Sequence, residues 1–296
     1  QHPHASRRNL TPTRRLLPDK TYLFPQHQAK NCCQYLDTIG HHRRRHQRYC
    51  EPKRMSAGTV YGVGLGPGDP DLMSVRADRL VREAKNIAYF RKKGRMGQAR
   101  QIVEGMLRPD VNEFAMEYPV TTEIPVDDPR YNEILAEFYE SCTSYLRQLS
   151  RLEEDVVVLC EGDPFFYGSF MHLYSRVKGK VPVEVVPAIT GMSGAWTATG
   201  QPITWGDDVL TVLAGTLSEY ELTKRMAETD AIVVMKIGRN MEKVCRSLKA
   251  SGKYDDAWLV EYATMHQQTV RKVIDIKEEI APYCAIIVVH GQGRRP

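Results

Sequence analysis

From Thr59 to His290, short unbroken apolar runs alternate with longer stretches whose apolar residues return every three or four positions. Few folds accept that alternation. A strand buried on both faces reads as a continuous run, and Asp155–Cys160, Val183–Val186, Ala231–Met235 and Ala285–His290 are of this kind. Thr59–Leu65, Ile87–Phe90, Val209–Leu213 and Trp258–Tyr262 read as further strands, and Thr269–Ile274 as a closing strand of antiparallel sense. Between them lie helical patterns: Ser74–Ala84, Gln98–Leu107, Tyr131–Leu149, Glu219–Ala227 and Met241–Ala250. The longest carries Ile134, Leu135, Phe138, Cys142, Tyr145, Leu146 and Leu149 on one side. The pattern restarts after the turn Gly200-Gln201-Pro202. The expectation is two α/β domains with mostly parallel sheets covered by helices, residues 55–203 and 204–296, and a ligand cleft between them.

The first 54 residues do not share this pattern. They hold twelve Lys/Arg against three Asp/Glu and six of the nine His, whereas the whole chain carries only +5, so the remainder is net acidic. Three readings compete for this leader. It is a nucleic-acid-binding tail, a zinc site drawn from Cys32, Cys33, Cys50, His41, His42 and His46, or a non-functional extension ahead of Met55. The spacings match no common zinc pattern, and no apolar periodicity supports a folded module. The extension is the favoured reading, with no metal and no nucleic-acid partner expected. Cys142, Cys160, Cys245 and Cys284 are widely spaced and imply no disulfide framework, which points to a reducing cytoplasm. No apolar run approaches the roughly 20 residues of a membrane helix.

Three loops carry the chemistry. Gly62-Val63-Gly64-Leu65-Gly66-Pro67-Gly68-Asp69-Pro70 follows a strand, and its glycines allow close approach of a ligand to backbone. It fails the dinucleotide pattern G-x-G-x-x-G, because the last glycine falls on Pro67 or Asp69 in either register. The ribose-binding acid is also missing, with Tyr89 and Phe90 in its place, and no Gly-Lys-Ser/Thr follows for a phosphate loop. Glu161-Gly162-Asp163-Pro164-Phe165-Phe166-Tyr167-Gly168 and Pro187-Ala188-Ile189-Thr190-Gly191-Met192-Ser193 follow two more strands. Open α/β sheets bind ligands at such strand ends. Each loop alone is an ordinary turn; their order is specific.

In that order, and ending in Gly200-Gln201-Pro202, the three loops resemble the tetrapyrrole methylase family over about residues 58–290. The resemblance implies S-adenosylmethionine as methyl donor, S-adenosylhomocysteine as product, a tetrapyrrole substrate and a homodimer. Carried over position by position, it implies that Pro67, Glu161, Gly162, Asp163, Phe166, Thr190, Gly191, Met235 and Ala263 hold the cofactor. Two positions depart from the family pattern: Ala188 stands where glycine is usual, and Glu161 where glycine or serine is common.

Within the family, Tyr89–Arg95, Gln98–Arg100 and Met116–Thr122 are most similar to members that methylate C20 of precorrin-2 in cobalamin synthesis. The same reaction on the cobalt-containing ring is the alternative, and a nucleic-acid-binding protein acting through the leader is the alternative from another class. The implied substrate carries eight carboxylates, which Arg91, Lys92, Lys93, Arg95 and Arg100 are placed to meet, unless they form only a solvated surface. The donor's methyl requires an aligned carbon nucleophile and exclusion of water. A proton must then leave that carbon; its acceptor is open, because Phe90 stands where relatives carry an Asp.

Overall fold

The computed structural model describes residues 57–120, 128–277 and 280–295, which lie within one compact unit, Lys53–Pro296. The basic leader and its candidate zinc donors fall outside the described residues, as do Thr121 and Thr122.

The first sheet contains β1 (Val60–Gly64), β2 (Asn86–Lys92), β3 (Asn112–Tyr118), β4 (Val156–Cys160) and β5 (Val183–Val186). Their order is β3-β2-β4-β1-β5, and every neighbouring pair is parallel. The run of β4 shows why it is central. Val157 and Leu159 enter one core with α1 (Val75–Glu83) and α2 (Gln98–Ile102), while Val156, Val158 and Cys160 enter another with α3 (Pro129–Arg151) and α4 (Phe170–Val177). A strand with helices on both faces has no wet side, so it reads as uninterrupted apolar sequence. Each such fully buried side chain contributes about 1.5–3 kcal/mol of hydrophobic stabilisation.

Local chemistry starts the helices where they are needed. Ser74 caps α1 by accepting from the Ala77 N–H, and Asp128 caps α3 by accepting from the Arg130 N–H, with Pro129 at its first position. Gly62 admits α4: a Cβ there would lie 2.3 Å from the Phe170 ring. Phe170 is fully buried on β1 as a result.

The second sheet contains β6 (Leu210–Ala214), β7 (Ala231–Met235), β8 (Trp258–Glu261), β9 (Thr269–Lys272) and β10 (Ala285–Val289), in the order β6-β7-β10-β8-β9. Only β6 and β7 pair in parallel; β10 is antiparallel to both neighbours, and β9 is antiparallel to β8 as expected. This sheet is therefore mixed rather than mostly parallel. The β8–β9 hairpin turns the chain back, and β10 then enters between β7 and β8 from the far end. Ala285, Ile287 and Val289 face α6 (Glu219–Ala227) and α7 (Met241–Ala250), whereas Ile286 and Val288 face the other side. That other side is covered by α5 (Gly191–Ala198), which precedes the whole sheet in sequence.

Three further differences from the sequence reading matter. The edge strand β3 and the helix α4 were not expected as elements. The helix expected over Gln98–Leu107 ends at Ile102 and gives way to turns, with Gly105 in the left-handed region at φ 77°.

Candidate active site

All five strands of the first sheet end on one edge, and the three sequence loops leave from it. They are tied to each other there. The Gly162 N–H donates to the Gly66 carbonyl at 2.9 Å, with Gly66 at φ 82° and Gly162 at φ 66°. Asp163 holds two loops at once: one carboxylate oxygen accepts from the Phe165 N–H at 2.9 Å and the other from the Ala188 N–H at 3.0 Å. Both its oxygens therefore serve the loop itself. Gly64 sits in the middle, where a Cβ would lie 2.6 Å from the Ala188 Cβ and 2.8 Å from the Gly162 carbonyl oxygen. Ala188 is accommodated because its neighbour across the gap has no side chain. Thr190 caps α5 by accepting from the Ser193 N–H, and Gly191 begins the helix beside Gly162.

The ends of β7 and β8 and the start of β10 meet this edge. The Asp69 N–H donates to Thr264 Oγ1 at 3.1 Å. A Cβ on Gly194 would lie 2.9 Å from Pro67 and 3.2 Å from the Thr264 methyl, so glycine lets the first loop, α5 and the loop after β8 touch. Glu161, at the end of β4, accepts from the Cys284 thiol at 3.3 Å, just ahead of β10. Burial raises the Glu161 carboxyl above its ordinary range, opposed by that thiol, and burial likewise pushes the Cys284 thiol up. Met235, at the end of β7, packs against the cluster beneath α5 that contains Ala263. Phe166 lies edge-on to Tyr167, 4.9 Å between ring centres. Pro67, Glu161, Gly162, Asp163, Phe166, Thr190, Gly191, Met235 and Ala263 thus all lie along this seam of strand ends.

The seam is also where the backbone is strained. Among the described residues, five non-glycines have positive φ, and Tyr167, Lys236, Tyr262 and Thr264 follow strands along it; only Glu153 lies elsewhere. Such conformations cost about 1–3 kcal/mol each and mark positions whose geometry serves something other than stability.

A cavity of about 550 Å³ opens beside the seam. Its walls come from the end of β3 and the residues just after it (Tyr118, Val120), the first half of α3 (Tyr131, Asn132, Tyr139), the loop into α4 (Tyr167–Ser169), α4 itself (His172, Arg176), Lys236 and Tyr283. Among the described residues no carboxylate lines it, and those that do make a cationic bowl walled by aromatics. Arg176 lies 5.6 Å from the Tyr139 ring centre and 3.7 Å from Glu140; Lys236 lies 5.0 Å from the ring centre of Tyr167. Tyr118 shares a hydrogen bond with Ser169, and burial raises its phenol.

The basic cluster expected from the sequence is divided. Arg91 pairs with Glu117 at 3.0 Å, and Arg100 makes a two-pronged pair with Glu113 at 2.9 Å, both partners lying on β3. Hydrogen bonding from Arg100 holds the Glu113 carboxyl below its usual range. Lys92 ends β2 beside Tyr118 in the sheet register, Lys93 and Arg95 follow in the turn, and all three are exposed.

A family model described as Tetrapyrrole (Corrin/Porphyrin) Methylases matches residues 59–276, both sheets but for the last strand. The chain belongs to the tetrapyrrole methylases. This tetrapyrrole methylase is 45% identical over 242 residues to a precorrin-2 C(20)-methyltransferase of Sinorhizobium sp, covering 82% of this chain and 99% of that protein. It is 23% identical over 239 residues to a cobalt-precorrin-2 C(20)-methyltransferase of Salmonella typhimurium, covering 79% of this chain and 97% of that one. Its fold matches a uroporphyrin-III C-methyl transferase from Thermus thermophilus, solved as a complex with S-adenyl homocysteine, with a TM-score of 0.54 at 22% identity over 79% of this chain and 97% of that one.

Tyr118 and Val120 lie in the Met116–Thr122 stretch and Tyr167 and Gly168 in the second loop, but His172, Arg176, Lys236 and Tyr283 carried no signal of their own in the sequence. These four come from three elements, α4, the end of β7 and the segment ahead of β10, and no motif joins them. One signal was present: Phe170, Leu173 and Val177 recur at helical spacing, which marks α4 and puts His172 and Arg176 on its other side.

Proposed function

We propose that this methylase transfers a methyl group from S-adenosylmethionine to C20 of precorrin-2, in cobalamin biosynthesis. The observation that carries the reading is a seam of backbone-rich loops lying against a cavity lined, among the described residues, by cations and aromatics without a carboxylate. The first suits a nucleoside and an amino-acid tail; the second suits part of a polycarboxylate ring.

The seam fits the donor. Gly64, Gly66, Gly162 and Gly191 let the three loops close on one another without side chains between them, and Met235 and Ala263 offer apolar surface. Glu161 is a carboxyl within reach of a cationic centre. Pro67, Glu161, Gly162, Asp163, Phe166, Thr190, Gly191, Met235 and Ala263 hold the donor in this reading, Asp163 by shaping the loop. When bound, S-adenosylmethionine supplies an electrophilic methyl on a sulfonium. The chain's own contribution is alignment and a water-poor seam. In the cavity, Arg176 and Lys236 meet substrate carboxylates and the tyrosines pack against the ring. Lys92, Lys93 and Arg95 meet carboxylates nearer solvent, while Arg91 and Arg100 mainly brace β2 against β3.

The metal-free ring is the preferred substrate because the 45% identical relative acts on it, whereas the cobalt-named relative is 23% identical. In the same reading the protein is cytoplasmic and works as a homodimer, with 55–203 and 204–296 as its two domains. Among the described residues no helix is long and apolar enough to cross a membrane. The test is incubation of the full chain with labelled methyl donor and either precorrin-2 or its cobalt complex, followed by NMR location of the label. Label at C20 of the metal-free ring is expected. Methylation of the cobalt complex alone, or of another carbon, refutes the proposal.

A further inference from the structure

We infer that His172 is the catalytic residue that accepts the proton released from the newly methylated carbon. This rests on the reaction proposed above. An enamine-like ring carbon that takes a methyl group forms a carbon–carbon bond, and the sulfur keeps the electron pair of the bond that breaks. The carbon then bears both hydrogen and methyl, and the conjugated ring is cationic. Transfer of that hydrogen as a proton to an imidazole nitrogen returns the C–H pair to the ring. The imidazolium passes the proton to solvent at the cavity mouth. No oxidant or further reactant is needed.

Four observations single out this side chain. His172 lines the cavity, and its ring stacks on Tyr139 with centres 4.5 Å apart and planes 24° from parallel, which fixes its orientation. Among the described residues none hydrogen-bonds either ring nitrogen, so both remain available. The groups that face it are cations and phenols: Arg176 from α4, Lys236 after β7, Tyr118 from β3, Tyr131 and Tyr139 from α3, Tyr167, and Tyr283 ahead of β10. Among the described residues, Glu140 is the nearby carboxylate, and it is engaged with Arg176 and Arg147. Burial raises the phenol of Tyr118, so it is no base near neutral pH. Burial first, then the charges of Arg176 and Lys236, lower the His172 imidazole below its ordinary value, which keeps it neutral and ready to accept. A weak base suffices, since a C–H bond on a cationic ring is acidic. Substrate carboxylates paired with Arg176 and Lys236 remove most of the repulsion that imidazolium would otherwise meet.

The rival base is Glu161, which lies on the seam against Cys284 and does not line the cavity. The experiment compares the full-length wild type with His172→Gln, His172→Phe, which keeps the stack on Tyr139, and Glu161→Gln. Single-turnover methylation of precorrin-2 is followed against pH, and tetrapyrrole affinity is measured separately in the presence of S-adenosylhomocysteine. For both His172 variants the rate is expected to fall about 10²-fold or more, with affinity within about threefold of wild type. The acid limb of the wild-type rate profile is expected to vanish with His172 and to survive in Glu161→Gln. In a third variant, His172→Ala, added imidazole is expected to restore part of the rate. A His172→Gln rate within twofold of wild type overturns the inference; so does an acid limb that follows Glu161, or a loss confined to affinity. A wild-type protein that methylates no tetrapyrrole refutes the proposed function itself. Normal wild-type turnover with an unaffected variant refutes only the role of His172.

Discussion

Replacing Asp163 by alanine isolates what the middle loop contributes. The substitution removes two acceptors at once, from the Phe165 N–H at 2.9 Å and the Ala188 N–H at 3.0 Å. An ordinary hydrogen bond has a net worth of about 0.5–1.5 kcal/mol, so the pair amounts to about 2 kcal/mol. Phe165 is exposed and water can serve its N–H, which keeps the total near that figure. For a domain of this size 1 kcal/mol moves Tm by roughly 2–4 °C, so a fall of about 4–8 °C is expected. If the ordered loop is the binding-competent one, the same energy bounds the loss of S-adenosylhomocysteine affinity at about 30-fold, using 1.4 kcal/mol per decade. Asp163→Asn keeps one carbonyl oxygen and should lose about half as much on both scales. Scanning calorimetry gives the first number and isothermal titration the second. Wild-type Tm and affinity in Asp163→Ala would show that the loop is held by its glycines alone.

Two other perturbations separate the parts of the site. Changing Arg176 and Lys236 together to Gln should weaken tetrapyrrole binding about 10–100-fold, the worth of one or two charge-assisted bonds. Cofactor affinity should stay constant; equal loss of both ligands would mean that the cavity and the seam are one site. Glu113→Gln tests the brace between β2 and β3. Because Arg100 lowers the folded pKa of Glu113, the pair stabilises the protein above the ordinary carboxylate range and ceases to do so as pH falls through the lowered value. The variant should therefore melt below wild type at neutral pH and converge with it in acid, and a gap independent of pH would refute the pairing as its cause.

The parts of this fold legible in the sequence are those where one physical requirement acts alone. β4, β7 and β10 are buried on both faces, and their runs show it. β3 is an edge strand, whose Phe114, Met116 and Tyr118 alternate with Glu113, Ala115 and Glu117; the period of two was there, but its polar half masked it. The direction of β10 was not readable at all, since five apolar residues look the same from either end. The seam was legible because loops at parallel strand ends recur in a fixed order. The cavity was not, because Tyr118, His172, Lys236 and Tyr283 are adjacent only after both sheets have formed. The five-residue basic cluster illustrates the opposite error: charges close in sequence were read as one surface, and two of them face carboxylates on the neighbouring strand.

Helix α5 has a consequence for how this chain can be divided. It leaves the first sheet at Thr190 yet lies on Val233, Val260, Ile286 and Val288 of the second. A protease cut or gene split at the expected boundary near residue 203 would leave the second sheet with that apolar face bare, a surface of the kind that drives aggregation. A fragment meant to fold from the second half must therefore begin before Thr190, taking part of the donor seam with it. Heritable shuffling of the two halves between relatives meets the same obstacle, because the joint that looks simplest in sequence runs through the packing of a single helix.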